Sequence, residues 1–372
     1  MNAERVLQTF LDLLRIDSPS YREAAVAAYC ARALAEAGCD VRFDDTAAST
    51  GSDTGNLIAV LPATAGCAGA IALSAHMDNV EPCCGVDPVI EGGVVRSAGD
   101  TVLGGDDKAG VAAIIEAVRS VAESGAVHPR VVVVLTVCEE ESLVGATAID
   151  ASVFPEGASC YVLDAGGAPG TIVLGSPCHY EFEAAFQGRA SHAGAAPEAG
   201  VSAIAMAAAA VAQMPQGRID EITTANVGAI DGGTAVNVVP ERCVVRGECR
   251  SIEHDRAERV KGEITRACET AAAAAGGSVE VRWHLDYEST NYAPDDEIAR
   301  RAVRAARSCG LEPAMANSGG GADANAFATK GVAAITLGIG MANYHALDEH
   351  IAVRDVEDTA RLAEALIVQA AE

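Results

Sequence analysis

The sequence predicts an α/β protein interrupted once by an inserted α+β segment, and three observations predict it. Aliphatic, β-branched runs alternate with Ala-rich helical stretches over residues 1–178; alternating strand patterns replace them over 179–289; the first texture returns over 290–372. At 372 residues the chain is too long for one ordinary core and fits about two domains. The economical reading is therefore one domain made of 1–178 and 290–372, with 179–289 inserted into it.

Taken in order, residues 22–37 have the intermittently charged, Ala-rich pattern of a helix, and NLIAVL (56–61) and AIALSA (70–75) read as buried strands closed by polar or turn residues. A helix is expected to start at Asp107 and run through VAAIIEAV. VVVVLTV (131–137) is an unbroken β-branched run, as expected of a strand covered on both faces, and YVLD (161–164) repeats that design. In the insert, EFEAAFQG, EITTANVGAI and CVVRGECRS alternate as half-buried strands do, with helices near 199–212 and 254–274. Gly276–Gly277 reads as a hairpin turn inside the insert. Then come a helix in PDDEIARRAVRAARSCG, a strand in VAAITLGIG, and a closing helix with apolar Val356, Ala360, Ala363, Ile367 and Ala370.

Half of the residues are apolar but only 4% are aromatic, so Ala, Val, Leu and Ile must fill the cores. Acidic residues outnumber basic ones 52 to 26, a formal charge of −26 that repels a phosphate backbone and excludes nucleic acid as the expected partner. Most of these carboxylates form a solvated surface. The twelve cysteines are scattered without a CxxC pair, and the opening residues carry Glu4, Arg5, Asp12 and Arg15 rather than an apolar signal segment. The expectation is a reducing, cytoplasmic setting. No run approaches the ~18 apolar residues of a membrane span, so no membrane partner is expected.

Acidic and histidine clusters follow the predicted strands. His76 and Asp78 follow AIALSA; Asp106 and Asp107 sit in GGDDKAG; Glu139, Glu140 and Glu141 follow VVVVLTV; Asp164 follows YVL. Alone, each is commonly a surface or capping feature. Four of them at successive strand ends would gather at one edge of a sheet, and crowding so many carboxylates is costly unless cations neutralise them. Mixed imidazole and carboxylate ligands suit zinc, and two ions sharing one carboxylate need about five protein ligands. His345, after the strand in VAAITLGIG, completes that number. A carboxylate outside the ligand set must then take a proton from water, and Glu139 or Glu140 fills that part.

These residues, in this order, resemble the di-zinc exopeptidase family of peptidase T, carboxypeptidase G and succinyl-diaminopimelate desuccinylase. The likeness spans nearly the whole chain and is nearest to the peptidase T-like branch, through SAHMDNV, LGGDDKAG, EEESLVGA, LDAGG, GRASHAG, EITTANVGA, GGTAVNVVP, ECRS and GGGADANAF. The resemblance implies a mixed central sheet flanked by helices, two zinc ions per chain with cobalt or manganese as substitutes, and a cis peptide after the bridging aspartate. It implies that His76, Asp106 and Asp164 hold one ion and Asp106, Glu140 and His345 the other. Asp78 would orient His76, and Glu139 would be the base. The insert would be a lid that forms a homodimer, His192 reaching the partner's site to steady the oxyanion while Asn237 and Arg250 hold the substrate. A guanidinium fork suits a carboxylate on its own account. The sequence departs from the family with Asn79 for the frequent Thr, Gly105 for Ala and Ser142 for Gly, none of them a ligand. His128, His179, His254, His284 and His350 belong to no partnered motif.

The expected activity is hydrolysis of an amide bond in a small peptide, by a di- or tripeptide aminopeptidase. The alternative is an amidohydrolase or carboxypeptidase acting on an acylated amino acid or a C-terminal residue. A non-catalytic metal-binding protein is disfavoured by Glu139 and the full ligand set.

Overall fold

The computed structural model describes residues 1–371 and divides into two compact units: Met1–Gly175 with Asn291–Ser318 and Ala322–Glu372, and Ser176–Thr290 with Gly319–Gly321. In the first, a mixed nine-stranded sheet has Arg130–Thr136, Ala70–His76, Ser159–Ala165 and Ala333–Gly338 side by side and parallel. Leu57–Leu61 and Asp40–Phe43 extend it antiparallel beyond Arg130–Thr136. Register aligns His76 with Thr136, so the carboxyl ends of the central strands emerge at one edge.

The unbroken apolar runs are buried on both sides, as parallel strands require. Ile71, Leu73, Val131, Val133 and Leu135 join the large core that contains Val111, Ile114 and Ile115, whereas Ala72, Val132, Val134 and Val162 are buried but point away from it. The helices Gly105–Ser124, Val353–Gln369 and Ala3–Leu14 pack together, the first of them on Ala70–His76, while Asp323–Thr329 lies on Ser159–Ala165 and Ala333–Gly338. The helix expected from Asp107 starts at Gly105, with non-helical dihedrals at Asp106 and Asp107. Elements not expected from the sequence include the helices Ala3–Leu14 and Asp323–Thr329, the strand Asp40–Phe43, and the hairpin of Pro88–Glu91 with Val94–Ser97.

The second unit is a five-stranded antiparallel sheet in the order Gly217–Asp220, Thr223–Gly232, Arg242–Ser251, Cys178–Gln187, Ser278–Tyr287. Tyr180, Phe182, Ala184 and Phe186 point to a core shared with the helices Ala203–Val211 and His254–Ala275. The alternate residues His179, Glu181 and Glu183 line the opposite, helix-free face, by the period of two. Gly276–Gly277 is not a β-hairpin. Gly276, at φ +75°, caps the long helix, and its N–H bonds back to the last turn before the chain enters Ser278–Tyr287. Among the described residues no helix is long and apolar enough to cross a membrane.

Candidate metal centre

His76 ends one parallel strand, Asp164 lies near the end of the next, and Glu139 and Glu140 follow a third. Asp106 opens the helix Gly105–Ser124, and the peptide bond between Asp106 and Asp107 is cis. His345 comes from the loop after Ala333–Gly338, at φ +63°. With Asp78, two residues past His76 and facing it, all seven residues expected in this domain meet at one sheet edge.

The geometry centres on Asp106. Its Oδ1 lies 3.1 Å from His76 Nε2, and that nitrogen is 3.6 Å from Asp164 Oδ1. Its Oδ2 lies 3.2 Å from His345 Nε2, which is 3.0 Å from Glu140 Oε2. The two oxygens of one carboxylate thus face two separate imidazole–carboxylate pairs. Asp107 is also within ligand range of His76 and Asp164, but its oxygens already accept the backbone N–H groups of His76 (3.2 Å) and Gly110 (3.2 Å). We place it as a support.

Charge and burial show what the cluster is suited to hold. Burial pushes the Glu139 and Asp107 carboxyls well up, raises Glu140, and takes Asp164 to about 8. Burial opposes a charge on His76, but Asp164, Asp106 and Asp78 outweigh it and push the ring up; Asp106 and Glu140 raise His345 to about 10. Such crowding of buried carboxylates is what bound cations would balance. Glu140 Oε1 is buried with no hydrogen-bond partner, although such atoms in proteins are nearly always satisfied. Two imidazoles and three carboxylates, one able to bridge, fit a pair of zinc-like cations in donor chemistry and number.

Asp78 does more than face His76. Its carboxylate is 3.5 Å from His76 Nδ1, while its backbone carbonyl lies closer, at 3.0 Å. The carboxylate oxygens accept the backbone N–H of Glu139 (2.9 Å), the N–H of Glu140 (3.3 Å) and the Ser20 hydroxyl (2.7 Å). Glu139 is itself buried and takes no part in the ion pairs around Asp106.

Several supports were given no role by the sequence analysis. Glu349 accepts the N–H groups of Gly104 (2.7 Å) and Asp106 (3.0 Å), fixing the turn that carries Asp106. Its spacing of four from His345 is the signal that could have found it. Asn79 donates its side-chain amide to the Asp106 carbonyl, giving one departure from the family a local task. Glu23 accepts Cys138 N–H (3.0 Å), and Asp323 accepts the Thr136 hydroxyl (2.5 Å). Ser142 adopts φ +67°, where the Gly common in relatives would be at ease.

The remaining expected residues lie in the second unit. His192 sits on a short strand paired with Val238–Val239, and Ala193 N–H bonds to Asn237 O (2.9 Å), so His192 and Asn237 are neighbours. His192 Nδ1 accepts the N–H groups of Gly194 and Ala195, both at 3.1 Å, which leaves the proton of a neutral ring on exposed Nε2. Arg250 donates from Nε (3.2 Å) and Nη2 (2.9 Å) to Glu248, and from Nη1 to the Tyr287 hydroxyl (3.2 Å).

A mixed sheet flanked by helices, with a two-pocket imidazole–carboxylate cluster at the ends of its parallel strands, defines a metallopeptidase-class hydrolase. Residues 178–275 match the family described as "Peptidase dimerisation domain", and residues 56–175 match "Peptidase family M28". The chain is 38% identical over 371 residues to the protein YqjE of Bacillus subtilis, covering all of both chains. It superposes on the aminopeptidase PepT of Bacillus cereus with TM-score 0.94 at 38% identity over the whole of both chains. Against a tripeptidase of Staphylococcus aureus the TM-score is 0.95 at 32% identity, over 100% of this chain and 99% of the other. The chain belongs to the peptidase T-like branch of the exopeptidase family that also includes carboxypeptidase G and succinyl-diaminopimelate desuccinylase.

Proposed function

We propose that the protein is a two-zinc aminopeptidase that releases the N-terminal residue of di- or tripeptides, with Glu139 as general base. The carrying observation is the division of Asp106, whose two oxygens serve separate imidazole–carboxylate pairs. His76, Asp106 and Asp164 would hold one ion, and Asp106, Glu140 and His345 the other. Bound there, the pair supplies Lewis acidity toward the scissile carbonyl and lowers the pKa of water. Glu139, buried and excluded from the ligand contacts, takes the proton of the attacking water and delivers it to the leaving amine. Its position is fixed through its own backbone, held by Asp78. His192, with its proton on Nε2, is suited to donate to a developing oxyanion. Asn237 and Arg250 hold the peptide, and the insert over 179–289 serves as a lid and homodimer contact, a role supported by the family match over 178–275. Twelve free cysteines favour a reducing, cytoplasmic setting.

The names of the Bacillus cereus and Staphylococcus aureus relatives support the peptide substrate. Zinc-loaded protein assayed by mass detection against di- and tripeptides, N-blocked peptides and acyl-amino acids is the test. Free N-terminal residues should appear from unblocked peptides only. Turnover of N-blocked peptides or acyl-amino acids in preference would overturn the aminopeptidase assignment.

A further inference from the structure

We propose that the inserted unit carries a separate divalent-cation site of zinc type, formed by His179, Glu181, His284 and Asp286 on the helix-free face of its sheet. These residues come from two paired strands. Glu181 and His284 are directly opposite in register, and a bulge between Leu285 and Tyr287 inserts Asp286 beside His179. Ligand atoms of His179, Glu181 and Asp286 all lie within 4.8 Å of one another, and His284 Nε2 is 3.3 Å from Asp286 Oδ1.

Two details separate the cluster from an ordinary ion pair. His179 Nδ1 and Asp286 Oδ2 are 2.7 Å apart, and buried Asp286 Oδ2 makes no contact of good hydrogen-bond geometry, so an imidazole nitrogen and a carboxylate oxygen converge there outside an ordinary hydrogen bond. Convergent lone pairs of imidazole and carboxylate are what a cation requires. The other ring nitrogen, Nε2, lies 2.6 Å from Glu248, which is itself neutralised by Arg250. A carboxylate on the far nitrogen of a ligating histidine fixes the tautomer that presents Nδ1 to the metal, a recurrent arrangement around zinc. His179, Glu181 and Asp286 supply the three converging ligands, and His284, which reaches the other Asp286 oxygen from the exposed side, would turn in as the fourth of a tetrahedral set. Binding displaces any proton on Nδ1 to solvent and ties the two strands together beside Arg250. This site is independent of the catalytic reading, because none of its residues belongs to the Asp106 cluster.

The test is zinc content of the full-length chain after dialysis against zinc buffered in the micromolar range. His284→Ala removes a ring that is 76% exposed, so folding is not at stake; Asp286→Asn keeps shape and removes charge. Each variant should retain one zinc fewer per chain than the parent. The same difference should appear in an Asp106→Asn background, where the catalytic centre is impaired, so failure of either centre is read separately. Equal zinc in parent and both variants overturns the proposal and leaves His179 as a ring clasped between Glu248 and Asp286. Loss in His284→Ala alone also overturns it, since a lone surface histidine would then be the binder.

Discussion

Glu139 is buried, its neighbour Glu140 is part-buried, and both are held at the backbone by Asp78, but only Glu140 reaches a histidine of the cluster. Glu139→Gln should therefore retain its metal complement while turnover falls by ~10²–10⁴, the usual worth of a positioned proton acceptor. Glu140→Gln should lose metal as well, because it removes a ligand. Metal analysis beside steady-state rates separates the two, and near-normal turnover in Glu139→Gln would end its assignment as base. Glu248 offers a second residue-scale expectation. Hydrogen bonds from His179 and Arg250 hold its carboxyl down at about 2, below the ordinary value of about 4.3 for glutamate. A depressed carboxylate stabilises the fold above its unfolded pKa and loses that contribution as pH falls through the folded value. In chelator, Glu248→Gln should melt below the parent at neutral pH, and the gap should close between about pH 4 and 2. A gap independent of pH would mean that the ion pairs contribute nothing.

At the scale of elements, identical substitutions should have opposite signs in two helices. A Cβ at Gly110 would sit 2.2 Å from the Leu163 carbonyl and 2.3 Å from Asp107 Oδ1, where the helix Gly105–Ser124 presses on the sheet. Gly110→Ala should cost about 1–3 kcal/mol through overpacking. At Gly262, inside the helix His254–Ala275, the nearest atom is the flexible end of Arg266, at 3.3 Å. Gly262→Ala should add about 0.5–1 kcal/mol. Denaturant midpoints of the two variants decide both signs. The same contrast explains what was readable beforehand. His76, Glu139, Glu140 and Asp164 stand at or just past apolar strands, so the pattern of strands places them together at successive strand ends. Glu23, Asp323 and Glu349 support the site from within the core, on partners such as Cys138, Thr136 and Gly104 that lie far away in sequence. His179, Glu248 and Asp286 are joined only by strand register, which hydrophobic pattern does not specify for polar outer faces. Gly276–Gly277 misled because a glycine pair serves a helix cap as readily as a hairpin.

For the whole molecule, the insert decides whether one chain suffices for activity. If the lid over 179–289 dimerises and His192 works on the partner's substrate, mixing His192→Ala chains with Glu139→Gln chains should restore activity, since one composite site of the heterodimer has both groups. An oxyanion donor is worth ~10²–10³ in kcat, so either homodimer should be nearly inactive and the recovery plain. Exchange verified by mass-tagged subunits, with no gain in rate, would confine His192 to its own chain. The hydrogen bonds of Asp78 carry a different consequence. Because one carboxylate holds the backbone of both Glu139 and Glu140 and also faces His76, the proposed base and two of the proposed ion ligands share a single mechanical fastening. Genetic dissection should feel this as pleiotropy. In a saturation screen scored by growth on a peptide, Asp78 alleles would fall among the ligand alleles, and supplying excess metal would rescue occupancy without restoring the aim of the base.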